Sequence, residues 1–577
     1  MLQTLQQQGL RHVVLCPGSR SGPLALAAAG LMRAGLITLS TAIDERSAGF
    51  YALGRSSASG VATAVITTSG TAVANLLPAA VEADRSSQPL LLISADRPLR
   101  LKNKGANQTV NQEAFLTPVC RWCGSGPLDG LSAGLNQELQ ALAQNAWRHL
   151  HQQPGPVHLN LPFEEPLHPD LDQQSKFWRQ WNSSESVAIT HNPELWKPTS
   201  HSAAPSLDPD QPGVIVAGPW RGLSATLEPY QAALIAWQQR SGWPVLADPL
   251  AAIPSNLGGV IRSWDLLLPN GLSQLPANAQ VLRLGSMPAS RRLEAWLADQ
   301  QGPQLLITEG DPRPLDPLEI AQQWSGGLAQ WWKQLNPKLR VVDATKPDIE
   351  AHEGSPLQAW RTADLELQQR LSELLPGHGP ANEPALMFAL ARLLPAELPV
   401  MLAASSPVRD WQAFAASDTG RRRCYSFRGA SGIDGTLSLA LGIAAELGPT
   451  VLITGDLALL HDSNGWLLAS AAQQPLLVLL IDNAGGGIFE QLPIETTPRD
   501  GFNQLFAMPQ QVDPLALAAA HSIPVRQLAC LDDLPSALEW GLGSAGPALL
   551  RVCTDRSSDA QLRRNLRKAL QQSKSLS

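Results

Sequence analysis

Two apolar runs in the C-terminal third of the chain are each followed by polar residues. Residues 451–454 lead into Asp456, and residues 475–481 lead into Asn483 and a glycine-rich turn. An amphipathic segment lies between the runs, so the pattern predicts a strand, a helix and a second, parallel strand. A right-handed crossover returns the second strand beside the first. We therefore expect Asp456 and Asn483 at adjacent strand ends, where open α/β sheets bind ligands.

The polar groups at these strand ends are all oxygen donors. A carboxylate, an amide oxygen and the carbonyl groups of a glycine turn suit Mg²⁺, which keeps part of its octahedral shell for phosphate oxygens and water. An ordinary Rossmann-like unit with polar strand ends has the same pattern without binding a metal. The motif taken alone leaves both interpretations open.

A similar pattern occurs near the N-terminus. Residues 62–98 show a strand, a polar turn with glycine, a helix and a second apolar strand, and Gln88 and Gln474 each precede a proline at the same place in the two patterns. Such self-similarity predicts one fold used twice. Between the two copies, apolar runs begin at positions 214, 244, 280, 304 and 339 and alternate with helical stretches, which predicts a third α/β domain.

The predicted fold class is therefore α/β, with three doubly wound parallel-sheet domains, of which the first and third are similar and the middle one is Rossmann-like. Segments rich in Ser, Pro, Asn and Gly indicate linkers between them. The predicted order is a first domain, a linker, a central domain, a linker, a third domain and a basic tail that we expect to fray, at residues 1–181, 182–212, 213–368, 369–384, 385–560 and 561–577.

Composition narrows the class of protein. The net charge of −7 and the pI of about 5.9 argue against a nucleic-acid partner. No apolar run is long enough for a membrane span and the first residues lack the pattern of a signal peptide, so we expect a cytoplasmic protein. The six cysteines are scattered, and Cys120 and Cys123 form a C-x-x-C without a second pair, so we interpret them as plain thiols.

The spacing of Gly455-Asp456 and Asn483 resembles the cofactor motif of the thiamine-diphosphate (ThDP)-dependent enzymes. The resemblance implies that ThDP is the cofactor and that Asp456, Asn483 and the Gly485 carbonyl hold Mg²⁺, with Mn²⁺ as an alternative, against its diphosphate. Leu457 stands where Gly or Ala is usual. The expected cofactor-binding residues are Ser431, Gly432, Ile433, Gly455, Asp456, Leu457, Asn483 and Gly485.

The same resemblance implies two catalytic residues. A glutamate beside the aminopyrimidine promotes the tautomer that removes the C2 proton of the thiazolium ring. Glu45, which ends an early strand and begins a helix, matches this residue, although an acidic residue there is also typical of a solvated helix N-terminus. Ile433 matches the aliphatic residue that holds ThDP in its V shape. In these enzymes the cofactor lies between the first domain of one subunit and the third of its partner, which implies a homodimer or homotetramer with active sites at the interface.

Further motifs resemble one family among these enzymes, the 2-succinyl-5-enolpyruvyl-6-hydroxy-3-cyclohexene-1-carboxylate (SEPHCHC) synthases. They are CPGSRSGPLA from position 16, TTSGTAVANLLPAAVEA followed by SADRP, GANQTVNQ, RGASGIDG and IFEQLP. The resemblance implies a transferase of menaquinone or phylloquinone biosynthesis that decarboxylates 2-oxoglutarate and adds the remaining four-carbon unit to isochorismate.

The two implied substrates carry four carboxylates, and arginine is the side chain best suited to bind them. By motif match, Ser405, Arg409 and Arg428 meet 2-oxoglutarate, while isochorismate meets Arg20, Arg97, Gln108, Arg291 and Arg292. Ile488, Phe489 and Leu492 form an apolar wall, and the complete expected substrate set is Ser19, Arg20, Arg97, Asn107, Gln108, Arg291, Arg292, Ser405, Arg409, Arg428, Ile488, Phe489 and Leu492.

Three other interpretations remain at this point. Another ThDP carboligase or lyase, of the acetolactate-synthase type, should show a flavin or coenzyme A site in the middle domain, and no clear nucleotide motif occurs there. A cofactor-free binding protein on the same scaffold is disfavoured by the joint presence of Glu45, Asp456 and Asn483. A nicotinamide-linked oxidoreductase is disfavoured because no G-x-G-x-x-G opens either repeat helix after a strand.

Overall fold

The structure is a computed structural model, and it describes residues 1–168, 176, 204–268, 275–335, 356–375, 377–415, 420, 422–492, 494 and 498–572. Within these residues, three parallel sheets of six strands each are present, which confirms the predicted α/β class. No helix of this described part is long and apolar enough to cross a membrane.

The strands of the first and third sheets follow one another in the same spatial order, β2-β1-β3-β4-β6-β5 and β14-β13-β15-β16-β18-β17. The predicted repeat is thus present in the topology as well as in the sequence. The middle sheet has the order β12-β11-β10-β7-β8-β9, which is the doubly wound order of Rossmann-like domains. The strands are β1 His12–Leu15, β2 Thr38–Thr41, β3 Thr63–Thr67, β4 Leu90–Asp96, β5 Trp122–Ser125, β6 Pro156–Pro162, β7 Gly213–Ala217, β8 Val245–Ala247, β9 Val260–Ile261, β10 Gln280–Leu284, β11 Gln304–Ile307, β12 Gln322–Trp324, β13 Val400–Leu402, β14 Cys424–Ser426, β15 Thr450–Gly455, β16 Leu476–Asp482, β17 Val525–Leu528 and β18 Ala548–Cys553.

Helices cover both faces of the sheets, as parallel strands require. They are α1 Leu2–Gln8, α2 Gly22–Arg33, α3 Glu45–Ser59, α4 Thr71–Ala74, α5 Leu77–Ser86, α6 Glu113–Leu116, α7 Asn136–Gln152, α8 Ser224–Ser241, α9 Trp264–Leu267, α10 Arg291–Ala298, α11 Leu328–Leu335, α12 Pro356–Leu374, α13 Glu383–Leu393, α14 Ser406–Phe414, α15 Thr436–Leu447, α16 Asp456–His461, α17 Gly465–Ala469, α18 Arg499–Phe502, α19 Pro514–Ala520, α20 Leu534–Leu542 and α21 Arg556–Gln572.

The structure differs from the predicted organisation at three places. The segment 369–384, predicted as a linker, begins inside α12, whose apolar face packs on the core. The basic tail does not fray up to residue 572, because α21 buries Leu566 and Leu570. The middle sheet uses β9 and β12, which the apolar runs did not predict, while the strand predicted at 339 and most of the linker 182–212 lie outside the described residues.

Helix α3 packs closely against α15, so that the N-terminal and C-terminal domains meet along these two helices. A Cβ atom on Gly54 would overlap the Leu439 carbonyl oxygen, and one on Gly442 would overlap that of Tyr51. The two glycines therefore permit an approach that any side chain would block. Phe50 adds an edge-to-face contact with Phe427, with ring centroids 5.7 Å apart.

This crossing gives a prediction about stability. Replacing Gly54 by Ala should lower the free energy of unfolding by about 2 kcal/mol or more, because the backbone of α15 must shift, although alanine has the higher helix propensity. Denaturant unfolding followed by tryptophan fluorescence measures the change. Gly377→Ala is the matched control, since a Cβ there meets no atom within 4 Å. Equal stability of Gly54→Ala and wild type would contradict the proposed tight crossing.

Candidate active site

The third sheet brings the two polar strand ends together, as the strand pattern predicts. Strands β15 and β16 are parallel neighbours, with Gly455 opposite Ile481 at their carboxyl ends. Asp456 follows as the first residue of α16, and its carboxylate accepts hydrogen bonds from the backbone N–H groups of Leu457 at 2.8 Å and Gly485 at 2.7 Å. Asp456 thus closes the turn that carries Asn483.

The oxygen atoms at this edge fit a hard divalent cation. The Asn483 side chain donates from Nδ2 to Glu383 Oε1 at 2.7 Å, while its Oδ1 is buried without a hydrogen-bond partner. Burial and, to a lesser extent, the charge of Asp482 raise the pKa of Asp456 to about 6. A nearby cation would relieve both costs. In the described part of the chain no group of three or more His, Cys, Asp or Glu side chains could hold a metal.

The glycine turn after Asn483 depends on its sequence. Gly485 has a φ of 121°, and a Cβ on it would overlap the Ala507 carbonyl oxygen. The Gly485 carbonyl accepts a hydrogen bond from Gly487 at 2.9 Å. Glycine is therefore required for the backbone conformation of this turn, in which the Gly485 N–H binds Asp456.

The turn that carries Ser431, Gly432 and Ile433 is held from two other domains. Glu82 of α5 accepts hydrogen bonds from the N–H groups of Gly429 at 2.8 Å and Ala430 at 2.6 Å, and Arg221 of the middle domain donates to the Arg428 carbonyl at 2.7 Å. Burial raises the pKa of Glu82, and these donors oppose the rise. Ile433 itself is half-buried, with its carbonyl accepting from the Thr436 hydroxyl at 2.8 Å.

Glu45 is the first residue of α3 and does not end the preceding strand, because β2 ends at Thr41. Asp44 caps the helix by accepting from the N–H groups of Arg46 and Ser47. Asp44 and Arg46 also contact the C-terminal domain of the same chain at Asn464 and His461. Glu45 is half-buried beside Cys16, whose thiol pKa is raised by burial and further by the Glu45 charge.

A cavity of about 630 Å³ lies between the middle and C-terminal domains. Seven of the predicted substrate residues line it, namely Arg291, Arg292, Arg409, Arg428, Ile488, Phe489 and Leu492. Ser405 lies at its edge, at the N-terminus of α14, and its carbonyl accepts from Arg409 at 2.7 Å. The structure therefore brings this set together, although its members come from distant parts of the sequence.

The cavity carries an excess of positive charge. Arg292 is paired with Asp265 at 2.7 Å, whereas no carboxylate of the described residues lies within ion-pair distance of Arg291, Arg409 or Arg428, and Asp410 and Asp248 act on Arg409 and Arg428 only from farther away. Burial lowers the pKa of Arg409, and the neighbouring Arg428 lowers it further. Such unpaired cations favour an anionic ligand, since a carboxylate satisfies their donors and screens their mutual repulsion.

A second group of predicted substrate residues lies in the N-terminal domain. Arg97 contacts the Ser69 hydroxyl and donates to the Gln108 carbonyl at 3.0 Å, and Gln108 donates to the Ser69 carbonyl at 2.8 Å. Arg20 donates to the Phe163 carbonyl at 3.0 Å. Burial lowers the pKa of Arg97, and the charge of Arg20 lowers it further. Ser19 and Asn107 precede Arg20 and Gln108 in the chain.

The grouping of the arginines differs from the one expected. The motif match groups Arg291 and Arg292 with Arg20 and Arg97, but in the chain they line the cavity with Arg409 and Arg428. No residue of the N-terminal domain lines this cavity, among those that the structure describes. A motif match identifies each arginine separately. It does not show which domains lie next to each other in the folded chain.

Sequence reasoning missed the contribution of α21. Arg563 and Arg567 of this helix line the cavity, and Arg567 donates to Gln491 at 3.2 Å. The spacing of four residues indicates a helix with one buried face, namely Asp559, Arg563, Leu566 and Leu570, which are all buried in the structure. The high charge of the segment conceals this pattern and favours the interpretation of a basic tail.

Comparisons with known proteins agree with the fold. Models of three domain families match the chain: the N-terminal TPP binding domain of thiamine pyrophosphate enzymes at residues 1–115, the middle domain of thiamine pyrophosphate at 173–400 and the C-terminal TPP binding domain at 410–552. The middle match extends through both segments predicted as linkers.

Relatives are similar over the whole length. The chain is 98% identical over 577 residues to a 2-succinyl-5-enolpyruvyl-6-hydroxy-3-cyclohexene-1-carboxylate synthase of Synechococcus sp. (strain CC9311), with 100% of each chain covered. The chain belongs to the SEPHCHC synthase family. It is also 58% identical over 569 residues to the synthase of Prochlorococcus marinus (strain MIT 9313), with 97% of each chain covered.

A solved structure supports the architecture. Benzoylformate decarboxylase from Polynucleobacter necessarius is similar with a TM-score of 0.65 and 16% sequence identity, covering 96% of this chain and 98% of that chain. At this identity the likeness concerns the fold alone. A shared fold does not by itself imply a shared reaction.

The position of Arg567 gives a prediction for the cavity. Arg567→Gln should weaken the binding of a dicarboxylate such as 2-oxoglutarate about tenfold or more, because one charge-assisted contact is lost. Isothermal titration calorimetry measures the affinity. Lys568→Gln is the matched control, since it removes the same charge from the next residue, which does not line the cavity. Equal losses in the two variants would mean that only net charge is involved.

Proposed function

We propose that this protein is a ThDP- and Mg²⁺-dependent transferase that decarboxylates 2-oxoglutarate and adds the remaining succinyl-semialdehyde unit to isochorismate in a 1,4 sense. The products are SEPHCHC and CO₂, on the path to menaquinone or phylloquinone. The observation that carries the proposal is the 98% identity, over the full length of both chains, to a synthase with this name. The unpaired arginines of the cavity support it, because both substrates are anions.

The cofactor site in this proposal is the edge of the third sheet. Asp456 Oδ, the free Asn483 Oδ1 and the Gly485 carbonyl hold Mg²⁺, and the metal holds the diphosphate. When bound, ThDP supplies a carbon nucleophile at C2 and an electron sink for the loss of CO₂. Glu45 holds a proton at the pyrimidine N1′, and Ile433 supports the bent shape of the cofactor. Gly455, Leu457, Ser431 and Gly432 supply backbone contacts.

The substrate site divides between two arginine groups. Arg409 and Arg428, with Ser405, bind 2-oxoglutarate in the cavity, and Arg20, Arg97 and Gln108, with Ser19 and Asn107, bind isochorismate. Arg291 and Arg292 line the same cavity as Arg409 and are therefore proposed to lie where the two substrates meet. The apolar wall of Ile488, Phe489 and Leu492 excludes water there.

A complete site requires a second copy of the chain in this proposal. The cavity is lined by the middle and C-terminal domains, whereas Glu45, Arg20 and Arg97 belong to the N-terminal domain. A homodimer, or a homotetramer built from dimers, supplies the N-terminal domain of one subunit to the C-terminal domain of its partner. We further expect the enzyme to be cytoplasmic.

One assay tests the function. Purified protein with ThDP, Mg²⁺, 2-oxoglutarate and isochorismate should consume isochorismate, seen as loss of its absorbance, and release one CO₂ for each molecule consumed. Omission of either substrate, or Asp456→Ala, should abolish consumption. Consumption of isochorismate without 2-oxoglutarate, or CO₂ release with no consumption in the complete mixture, would overturn the proposal.

Glu45 gives a prediction about cofactor activation. Glu45→Gln should bind ThDP with nearly wild-type affinity but exchange its C2 proton about 10²–10⁴-fold more slowly, since an amide cannot hold the N1′ proton as a carboxylate does. NMR-detected hydrogen–deuterium exchange measures the rate. Asp44→Asn is the control, because asparagine also caps helices well. Exchange at the wild-type rate in Glu45→Gln would exclude this role.

Substitutions in the two arginine groups should impair different steps of the reaction. Arg409→Ala should impair CO₂ release from 2-oxoglutarate alone, by about 2–5 kcal/mol if the substrate carboxylate stays desolvated and unpaired. Arg97→Ala should leave that release nearly intact and raise the KM for isochorismate. Stopped-flow CO₂ detection with and without isochorismate separates the two effects. Equal damage to both steps from both substitutions would show that the arginines do not divide in this way.

A further inference from the structure

Asn483 is connected to a buried ionic network that the proposed chemistry does not use. Glu383, the first residue of α13, accepts the Asn483 Nδ2 hydrogen bond through one carboxylate oxygen and contacts the Arg563 guanidinium through the other. The same guanidinium binds both oxygens of Asp410, with its Nε 3.0 Å from Oδ1. Asp559 joins the network by accepting from the Glu383 N–H at 3.1 Å.

Burial makes this network unusual. Glu383, Arg563, Asp410 and Asp559 are each at most 5% exposed. A guanidinium in such a place is costly to desolvate unless its donors are satisfied, and here two carboxylates satisfy it. Both carboxylate oxygens of Glu383 act as acceptors, Oε1 from the Asn483 amide and Oε2 from the Arg563 guanidinium.

An acceptor at this position selects one orientation of the Asn483 amide. The side chain of asparagine has one donor end, Nδ2, and one acceptor end, Oδ1. Because Glu383 binds the donor end, Oδ1 is directed away from the network, where it is buried and has no hydrogen-bond partner. The reverse orientation would bring Oδ1 against a carboxylate and turn the amide donors towards the proposed metal.

We propose that Arg563 and Glu383 are positioning residues for the cofactor metal. Arg563 holds Glu383 in place, Glu383 holds the Asn483 amide by its donor end, and Asn483 Oδ1 is thereby available to Mg²⁺. The inference rests on the proposed function in one respect, the identity of Asn483 as a metal ligand. It makes helix α21 part of the cofactor site.

The network also joins the metal site to the cavity. Asp410 lies beside Arg409 on α14, and both Asp410 and Arg563 line the cavity. A single guanidinium therefore ties α13, α14 and α21 together behind the two places where cofactor and substrate are proposed to bind.

A reversal of hydrogen-bond polarity tests the proposal. Glu383 accepts from two donors, Arg563 and Asn483, one at each carboxylate oxygen. In Glu383→Gln only one of these oxygens remains, so either Arg563 or Asn483 faces an N–H group. The Asn483 amide then loses its preferred orientation, and Mg²⁺ affinity should fall about 10–100-fold. Adding Asn483→Asp to this variant restores the pair, because the introduced glutamine accepts from Arg563 and donates to the introduced aspartate, and the net charge equals that of the wild type.

The measurement is the Kd of Mg²⁺ titrated calorimetrically into protein saturated with ThDP, with the melting temperature recorded alongside. The double variant should bind Mg²⁺ at least about tenfold more tightly than Glu383→Gln. Arg283→Gln is the matched control, because it removes a buried ion pair of the middle domain, in which Arg283 Nη2 lies 2.8 Å from Asp316 Oδ1. This variant should be less stable than the wild type but bind Mg²⁺ with the same Kd. Should Glu383→Gln fail to fold, Arg563→Lys carries the same expectation, since one ammonium group cannot span both carboxylates.

The outcomes separate this inference from the proposed function. Unchanged Mg²⁺ affinity in a folded Glu383→Gln or Arg563→Lys variant, or no recovery in the double variant, overturns the positioning role. Wild-type protein that binds no Mg²⁺ together with ThDP overturns the proposed function itself.

Discussion

The crossing of α3 over α15 is the contact on which the arrangement of the site depends. Two glycines, Gly54 and Gly442, let the helices approach until backbone meets backbone. With this distance fixed, α5 lies where Glu82 can hold the turn that carries Ile433. The position of a cofactor-binding turn in one domain is therefore set by packing against another, through small residues that perform no chemistry.

The cavity shows how binding and stability oppose each other. Burial lowers the pKa of Arg409, and the nearby charge of Arg428 lowers it further, so the charge of Arg409 is disfavoured in the free protein. The ion pairs Arg292–Asp265 and Arg563–Asp410 neutralise part of the positive charge around the cavity. An anion bound beside Arg409 would relieve the remaining repulsion, so a feature that costs stability in the free protein would favour binding.

Periodicity and strand-end chemistry were enough to predict much of the fold and the centre of the site. The repeated strand–helix–strand pattern predicted the shared topology of the first and third sheets, and it placed Asp456 beside the Asn483 turn, because right-handed crossovers leave few alternatives. Glu383 could not be found in this way. It lies 100 residues from Asn483, at the start of an unrelated helix, and only the packing of three helices brings them together.

The errors have a common physical cause. The segment from residue 561 was interpreted from its charge, whereas its structure follows from the spacing of the few residues that it buries. Similarly, the middle sheet contains β9, a strand of only two residues, and β12, in which two of the three residues are glutamines, so no apolar run indicates either strand. Local sequence carries little information where pairing with distant residues decides the structure.

The distance in sequence between Glu383 and Arg563 bears on how the C-terminal domain folds. A chain made from its N-terminus presents Glu383 and Asp410 long before Arg563, which follows Glu383 by 180 residues. Until α21 docks, closing the domain would bury two carboxylates without their counterion, so the compact state is disfavoured. Because Arg563 is synthesised after both carboxylates, closure of the domain is coupled to the docking of α21. It keeps the strand edge around Asn483 accessible to solvent while the third sheet is still being assembled.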